Sequence, residues 1–308
     1  MRILIVGAGA IGGLFGGLLQ RQGVAVTYLV REHRLAELAA GGLTVQLPDN
    51  AFSFQPCCCT AIQLAATKPV FDLIVLTNKA YALASVIENI RPVVLEQTLI
   101  LPLLNGIRQL DVLDAEFGAA RVLGGIAKTV ATLADANTVA VNSPGSNLTI
   151  GARSAEQNAV AGAINALFAD AGVLLGDGSN IGLAMWEKFC LMAALGALNC
   201  MLQGSVGDYM KSEAGGEIAL ATIRECTDTA AASGYPLSDK VISGIQRTLT
   251  NPNSSFNASM YRDMKQGLPV EGEHLVGDML RRAEAAGMAA PNLKVAHAVL
   301  QTYSARLG

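Results

Sequence analysis

Cysteine pairs at metal-binding spacing, blocks of basic residues and long apolar runs are all missing from this 308-residue chain. Three of its six cysteines stand in a row, Cys57, Cys58 and Cys59, and no CxxC occurs. Adjacent cysteines do not readily pair, so neither a disulfide framework nor a metal site is supported. Buried, reduced thiols are expected instead. Charged residues make up only 15% and the net charge is −3, which makes nucleic acid a poor partner. The longest apolar run, residues 189–202, is broken by Gly196 and Asn199. It falls short of the roughly 18 residues of a membrane span and suits a buried helix better. The N-terminal MRILIVGAGAIGG carries glycines where a secretory signal needs a longer apolar core. A cytoplasmic protein, with no membrane and no metal, is the expectation.

What is present is apolar material in plenty, 51% of the residues, over a length that suits two domains. The first half alternates apolar strands (3–6, 24–30, 71–77, 98–104) with amphipathic helices (11–21, 32–40, 81–91). Continuously apolar strands between helices predict a parallel sheet covered on both faces. LTVQL (43–47) and AFSFQ (51–55), separated by Pro48-Asp49-Asn50, predict a small hairpin. TVATL, NTVAV and NLTIG, between 129 and 151, are β-rich and are expected to extend the sheet, with a turn at 143–146. A helix (154–171) and a short strand (173–175) follow. Beyond Gly178 the pattern is helical, punctuated by Gly-Tyr-Pro (234–236), Asn-Pro-Asn (251–253) and Gly-Leu-Pro (267–269). The fold class is therefore α/β, a Rossmann-type doubly wound sheet over 1–178 followed by an all-α domain over 179–308.

Gly7, Gly9 and Gly12 form GxGxxG, with Ala10 and Ile11 between the last two, directly after a strand and opening a helix. The first glycine permits the tight turn, the second lets backbone approach a pyrophosphate, and the third lets helix and strand pack closely. The helix N-terminus then offers N–H groups and positive dipole to phosphate. A glycine-rich turn without ligand is the plainer alternative, and the motif's context weighs against it. The second strand run ends at Arg31, where an NAD enzyme usually carries an acid for the ribose 2′-hydroxyl. A guanidinium fork there suits a 2′-phosphate, so NADP is the expected cofactor, with a solvated loop arginine as the alternative. Lys79 and Asn105 follow two further strands, at carboxyl ends where ligands of open parallel sheets bind.

Reducing a ketone places negative charge on its oxygen, which needs a proton or a positive group. His33, His274 and His297 stand in unremarkable helical context and are expected at surface or satisfied positions. Lys188, in MWEKFCLMAALGALNCML (185–202), is the better candidate. If its helix starts near Met185, the helix N-terminal field and the apolar neighbours make its ammonium a stronger acid. A lysine paired with Glu187 or another acid at the surface explains the same residues equally well.

GAGAIG, TNKAY, LLNGIR, WEK before an apolar helix, ASMYRD and VEGEH, in that order, resemble the ketopantoate reductases (2-dehydropantoate 2-reductases) over residues 1 to about 300. The resemblance implies a Rossmann domain, a helical domain, and substrate in the cleft between them. It implies NADPH-dependent reduction of the 2-oxo group of ketopantoate to (R)-pantoate, a step of pantothenate biosynthesis. Lys188 then matches the catalytic proton donor and Glu271 the acid that completes the site. Ser259 matches a substrate-binding serine, and Lys79 and Asn105 match residues at the cofactor and the active-site floor. Two positions depart from the family, which carries asparagines where this chain has Met192 and Gly196. The spacing from Lys188 is i, i+4, i+8, so both lie on its helix face. Methionine and glycine suit a different, bulkier 2-oxo acid, because discrimination for a hydroxyl rests on matched buried groups. Lys188, Ser259 and Glu271 weigh against a cofactor-binding regulator without turnover. A 3-hydroxyacid dehydrogenase would show a catalytic His–Glu pair or a GxxGxG-like loop, and neither is found. The helical half has apolar surface enough for a homodimer, although a buried core accounts for it equally.

Overall fold

A computed structural model of the chain describes residues 1–142 and 147–307. The expected turn at 143–146 lies outside the described residues. The chain forms two compact units: 1–104 with 109–181, and 182–308 with the short segment 105–108.

The first unit opens with β1 (Arg2–Val6), α1 (Ala10–Arg21), β2 (Ala25–Leu29), α2 (Glu32–Gly41), β3 (Leu43–Gln46), β4 (Ala51–Phe54) and β5 (Cys57–Cys59). Then come α3 (Ala61–Thr67), β6 (Leu73–Leu76), α4 (Leu83–Ile90), β7 (Leu99–Pro102) and α5 (Arg108–Phe117). A parallel sheet runs in the order β5-β2-β1-β6-β7. Successive side chains of β1 alternate between its faces. Ile3 and Ile5 pack with Leu14, Phe15 and Leu18 of α1, while Leu4 and Val6 pack with Leu83, Val86 and Ile87 of α4. Both faces are buried, so the strands read as unbroken apolar runs. The strand order reverses beside β1, which has β2 on one side and β6 on the other. Ligands of such sheets bind outside the carboxyl ends at that switch point, here just past Val6 and Leu76.

The later strands do not extend this sheet as expected. β8 (Gly124–Ala127), β9 (Ala131–Asp135), β10 (Thr138–Val141), β11 (Asn147–Gly151) and, after α6 (Asn158–Asp170), β12 (Leu174–Leu175) join two smaller sheets, β4-β3-β10-β9 and β12-β11-β8. The expected hairpin is present as the antiparallel pair β3–β4, but β3 pairs on its other side with β10. The reason lies in α1, whose small residues open it to close packing on two sides. A methyl group on Gly13 would come within 2.9 Å of Leu43 and Val139, and one on Gly17 within 2.7 Å of Phe54. The second sheet covers the outer side of α1 rather than adding strands to the first. The third meets the first sheet at β7, through an isolated parallel bridge from Ile100 to Val122 and through Gly125, where a methyl would come within 2.7 Å of Leu101.

The second unit is helical: α7 (Ile181–Leu202), α8 (Val206–Tyr209), α9 (Gly215–Ala232), α10 (Asp239–Leu249), α11 (Ser259–Lys265), α12 (Gly272–Ala285) and α13 (Pro291–Arg306). α12 packs on α9 and α13, and α9 also packs on α10 and α13. The start of α13 is capped from α9. Both carboxylate oxygens of the buried Glu225 accept backbone N–H groups, from Asn292 at 3.0 Å and Leu293 at 2.9 Å. Those are helix N-terminal donors without an intrahelical partner, and they carry the positive end of the dipole.

α7 begins four residues before the expected start at Met185, because residues 181–184 continue it toward the N-terminus. Lys188 therefore stands in the third turn, beyond the reach of the helix-end field, and that contribution to its acidity falls away. With 22 residues, α7 also has the length and apolar composition to cross a membrane, which the shorter run 189–202 lacked, but most of it is buried inside the protein. Phe189, Cys190, Ala193, Leu195, Leu198 and Cys200 are all at most 1% exposed.

Candidate functional site

The glycine-rich turn lies at the carboxyl end of β1. Gly7 has φ +96°, a left-handed conformation that a side chain disfavours. Gly9 is the N-cap of α1, with extended backbone and no side-chain cap bond. A methyl group added to Gly9 would meet nothing within 4 Å, so the turn is open at that point to a close ligand. Gly12 is closed: a methyl there would overlap the Gly7 carbonyl oxygen and come within 2.6 Å of Thr77 Oγ1. Ala10 and Ile11 open α1, in the first turn whose N–H groups have no intrahelical acceptor. An open cap glycine, a first turn of unpaired donors and a closed third glycine together fit a dinucleotide pyrophosphate.

Two side chains that sequence reasoning passed over hold this turn. Thr77, just past β6, donates from Oγ1 to the carbonyls of Val6 at 2.8 Å and Gly7 at 3.2 Å. It ties the turn across the switch point, and its place two residues before Lys79 was the available signal. Arg34, on α2, donates from Nη2 to the Ala8 carbonyl at 3.2 Å and from Nη1 to Glu37 and the Ala136 carbonyl. Nothing in the sequence marks Arg34 off from other helical arginines. Arg31 is the exposed N-cap residue of α2, with Glu32 as the first helical residue. Lys79 caps a short 3-10 turn (Ala80–Ala82) after β6 and is half-buried.

In the helical unit Lys188 and Met192 are half-buried on α7, and Gly196 is buried. A methyl on Gly196 would come within 2.5 Å of Met260 Cε, so the methionine occupies the space that a side chain at 196 would take. Met260 is the neighbour of Ser259, the first residue of α11. The start of α11 is also fastened to α7 by Asn199, which is fully buried. Asn199 Oδ1 accepts the Ala258 N–H at 2.8 Å and its Nδ2 donates to the Gly204 carbonyl at 2.7 Å. The face of α7 that carries Lys188 is thereby brought to the start of α11 and half-buried Ser259. Asn199, the lone amide in its apolar run, was the sequence signal for that anchor.

Glu271 is buried at the N-cap of α12, 5% exposed. Asn105 is half-buried in the segment 105–108, which belongs to this unit and packs on the start of α12. Gly106 has φ +84°, and a methyl on it would come within 3.2 Å of both His274 Cδ2 and Leu275 Cδ2. The neighbour of Asn105, Gly106, thus meets the first turn of α12 that Glu271 caps, and the neighbour of Ser259, Met260, meets α7 at Gly196, two turns beyond Lys188. His274, expected at a surface or satisfied position, is satisfied but buried. Burial first, then the charges of Arg108 and Arg281, push its pKa down to about 4.

Comparison with known proteins places this pairing of a parallel-sheet unit and a helical unit in a family. Residues 3–155 match the family Ketopantoate reductase PanE/ApbA, and residues 180–304 match the C-terminal part of that family. The chain belongs to the ketopantoate reductase family. It is an oxidoreductase of that family. A relative from Bacillus subtilis (strain 168), named "Uncharacterized oxidoreductase YkpB", is 31% identical over 305 residues, 99% of each chain. The crystal structure of a PanE/ApbA family ketopantoate reductase from Ralstonia eutropha JMP134 superposes with TM-score 0.88 at 26% identity, covering 100% of this chain and 99% of that one. D-mandelate dehydrogenase, solved with NADH and anilino(oxo)acetate, superposes with TM-score 0.87 over 100% and 99% of the two chains. At 20% identity that likeness shows the fold alone.

The cysteine run lies beside β2, and the Cys59 carbonyl accepts the Val30 N–H at 2.9 Å next to Arg31. Cys57, Cys58 and Cys59 form the edge strand β5, paired with Thr27, Tyr28 and Leu29. The expectation of buried thiols fails for Cys57, which is exposed, and is met only in part by Cys58 and Cys59, which are half-buried, because an edge strand is covered on one side only. Burial raises the thiol pKa values of Cys58 and Cys59 to about 11, so neither is a thiolate at neutral pH. Cys190, Cys200 and Cys226 are buried, as expected.

Proposed function

We propose that the protein uses NADPH to reduce the 2-oxo group of ketopantoate to the 2-hydroxy acid pantoate. One observation carries this most directly. The glycine turn at the β1/β6 switch point is open at Gly9 and locked at Gly12 by Gly7 and Thr77, the form a dinucleotide cradle takes. A reduced nicotinamide bound there supplies hydride to a carbonyl carbon. Gly7, Gly9, Ala10, Ile11 and Gly12 hold the pyrophosphate. Arg31 grips the adenosine 2′-phosphate, which is the basis for NADPH rather than NADH. Lys79 and Asn105 contact the nicotinamide half and the substrate.

On the helical side, Lys188 gives a proton to the carbonyl oxygen as charge develops on it. Lys188 is half-buried, which limits the competition of bulk water for that oxygen. Ser259, at the first turn of α11, hydrogen-bonds the substrate, and Glu271 completes the site as its buried acid. The substrate is a small 2-oxo acid, and neither nucleic acid nor membrane enters the reaction.

A second reading keeps the chemistry and changes the substrate to a bulkier 2-oxo acid. Met192 and Gly196 favour it by making the lining more apolar, although Met260 takes up the room that Gly196 itself would leave. The space at Gly196 is filled by the Met260 methyl and not by a hydrogen-bonding group, and both amide atoms of Asn199 are already bonded within the protein. NADPH oxidation measured against a panel of 2-oxo acids decides between them. Ketopantoate as the best substrate supports the first reading, and turnover confined to larger apolar 2-oxo acids supports the second. Firm NADPH binding without turnover of any 2-oxo acid would refute both.

A further inference from the structure

His274 is a buried titratable side chain to which the proposed reaction gives no part, and its surroundings assign it one. It sits in the first turn of α12, with 8% of its surface exposed. Its backbone N–H donates to the Glu271 carbonyl at 3.2 Å, so its position follows that of Glu271. Its ring hydrogen-bonds the backbone of Asn105 in the sense that favours a charged imidazole, so the ring N–H donates and the Asn105 carbonyl accepts. The next residue, Gly106, holds φ +84° and packs so closely on the ring that a methyl would come within 3.2 Å of Cδ2. The peptide plane between Asn105 and Gly106 is therefore fixed on two sides, by a hydrogen bond to its carbonyl and by the ring under its glycine. That plane sets the direction in which the half-buried Asn105 side chain leaves the backbone.

We propose that His274 is a positioning residue, which through its bond to the Asn105 carbonyl aims the Asn105 amide and keeps it in register with the Glu271 carboxylate. The proposal rests on the roles given to Asn105 and Glu271 under the proposed function. A neutral imidazole suits the task because it donates one N–H without placing a third cation beside Arg108 and Arg281, which already act on it. It is stiff, with two side-chain torsions to fix, and its burial fixes both. A misplacement of about 1 Å in such a group costs up to about a hundredfold in rate.

The experiment compares His274→Leu, which removes the donor, with His274→Asn and His274→Gln, which place an amide N–H near one or the other ring nitrogen. Steady-state kinetics with NADPH and the best 2-oxo acid are combined with hydrogen exchange over residues 105–108 and thermal melting. His274→Leu should lower kcat about ten- to hundredfold, leave KM for NADPH within twofold, and speed exchange over 105–108. The better of the two amide variants should recover most of the kcat and slow that exchange again. The role is overturned if His274→Leu keeps full kcat. It is equally overturned if all three variants lose activity only in proportion to a lowered melting temperature. A wild-type protein that turns over no 2-oxo acid while 105–108 still loosens in His274→Leu would sink the proposed function, and the catalytic purpose of the contact with it, leaving only a structural bond.

Discussion

A methyl group at Gly9 would meet no atom within 4 Å, whereas one at Gly12 would overlap the Gly7 carbonyl oxygen and lie 2.6 Å from Thr77 Oγ1. Alanine at these two positions should therefore separate folding from cofactor binding. Gly9 has φ −86° and ψ −162°, extended backbone that alanine adopts without strain. Alanine is a poorer N-cap than glycine but a stiffer residue in the unfolded chain. The two effects oppose, and stability should change by less than about 1 kcal/mol. The methyl would stand where the pyrophosphate approaches, so NADPH affinity should fall at least about tenfold, or roughly 1.4 kcal/mol. At Gly12 ordinary contact distance is about 3.5–4 Å, and the Gly7 carbonyl oxygen would lie 2.0 Å from the methyl, so α1 must move by roughly 1.5–2 Å against backbone that cannot yield. Overpacking of this kind costs about 1–3 kcal/mol, with loss of the turn in addition. Thermal melting combined with NADPH fluorescence titration reads both quantities. Gly9→Ala should melt like the wild type and bind poorly, while Gly12→Ala should fail on both counts. Wild-type NADPH affinity in a stably folded Gly9→Ala protein would refute the assignment of this turn as the pyrophosphate cradle.

Other expectations are as direct. Lys188→Ala should lower turnover by about 10²–10⁴ with NADPH affinity nearly unchanged, checked by steady-state kinetics beside a binding titration; retained turnover would remove the proton donor. Arg31→Ala should weaken NADPH far more than NADH, since only NADPH carries the 2′-phosphate, and equal losses measured with the two cofactors would contradict its role. Glu225→Ala removes a buried carboxylate holding two N–H groups of α13 and should cost about 2–4 kcal/mol by denaturant unfolding, with NADPH affinity of the first unit little changed. His274 has a folded pKa of about 4 against an ordinary 6.5, so the unfolded chain takes up its proton first as pH falls. The His274 contribution is complete above pH 6.5 and is lost down to about pH 4. Stability measured across that window should fall more steeply in the wild type than in His274→Gln.

Residue order by itself determined the alternation of strand and helix, the glycine turn, the apolar strands of the central sheet and the helical second half. Each rests on local spacing: Ile3 and Ile5 against Leu4 and Val6, or Gly7, Gly9 and Gly12 within six residues, can be read without knowing where the rest of the chain goes. The family motifs were legible for the same reason, being short and ordered along the chain. Only the tertiary structure decided that the strands after residue 122 build separate sheets, because the deciding contacts join Gly13 to Val139 and Gly17 to Phe54, far apart in sequence. It alone showed that α7 starts at Ile181 and so removes the helix-end argument for Lys188, since the apolar residues Ile181, Gly182, Leu183 and Ala184 carry no helix-start signal of their own. It alone put Met260 into the space beside Gly196, Asn199 under the start of α11, and the His274 ring on Asn105. Those placements depend on which surfaces meet in space, and a one-dimensional pattern fixes the faces of an element but not what each face will touch.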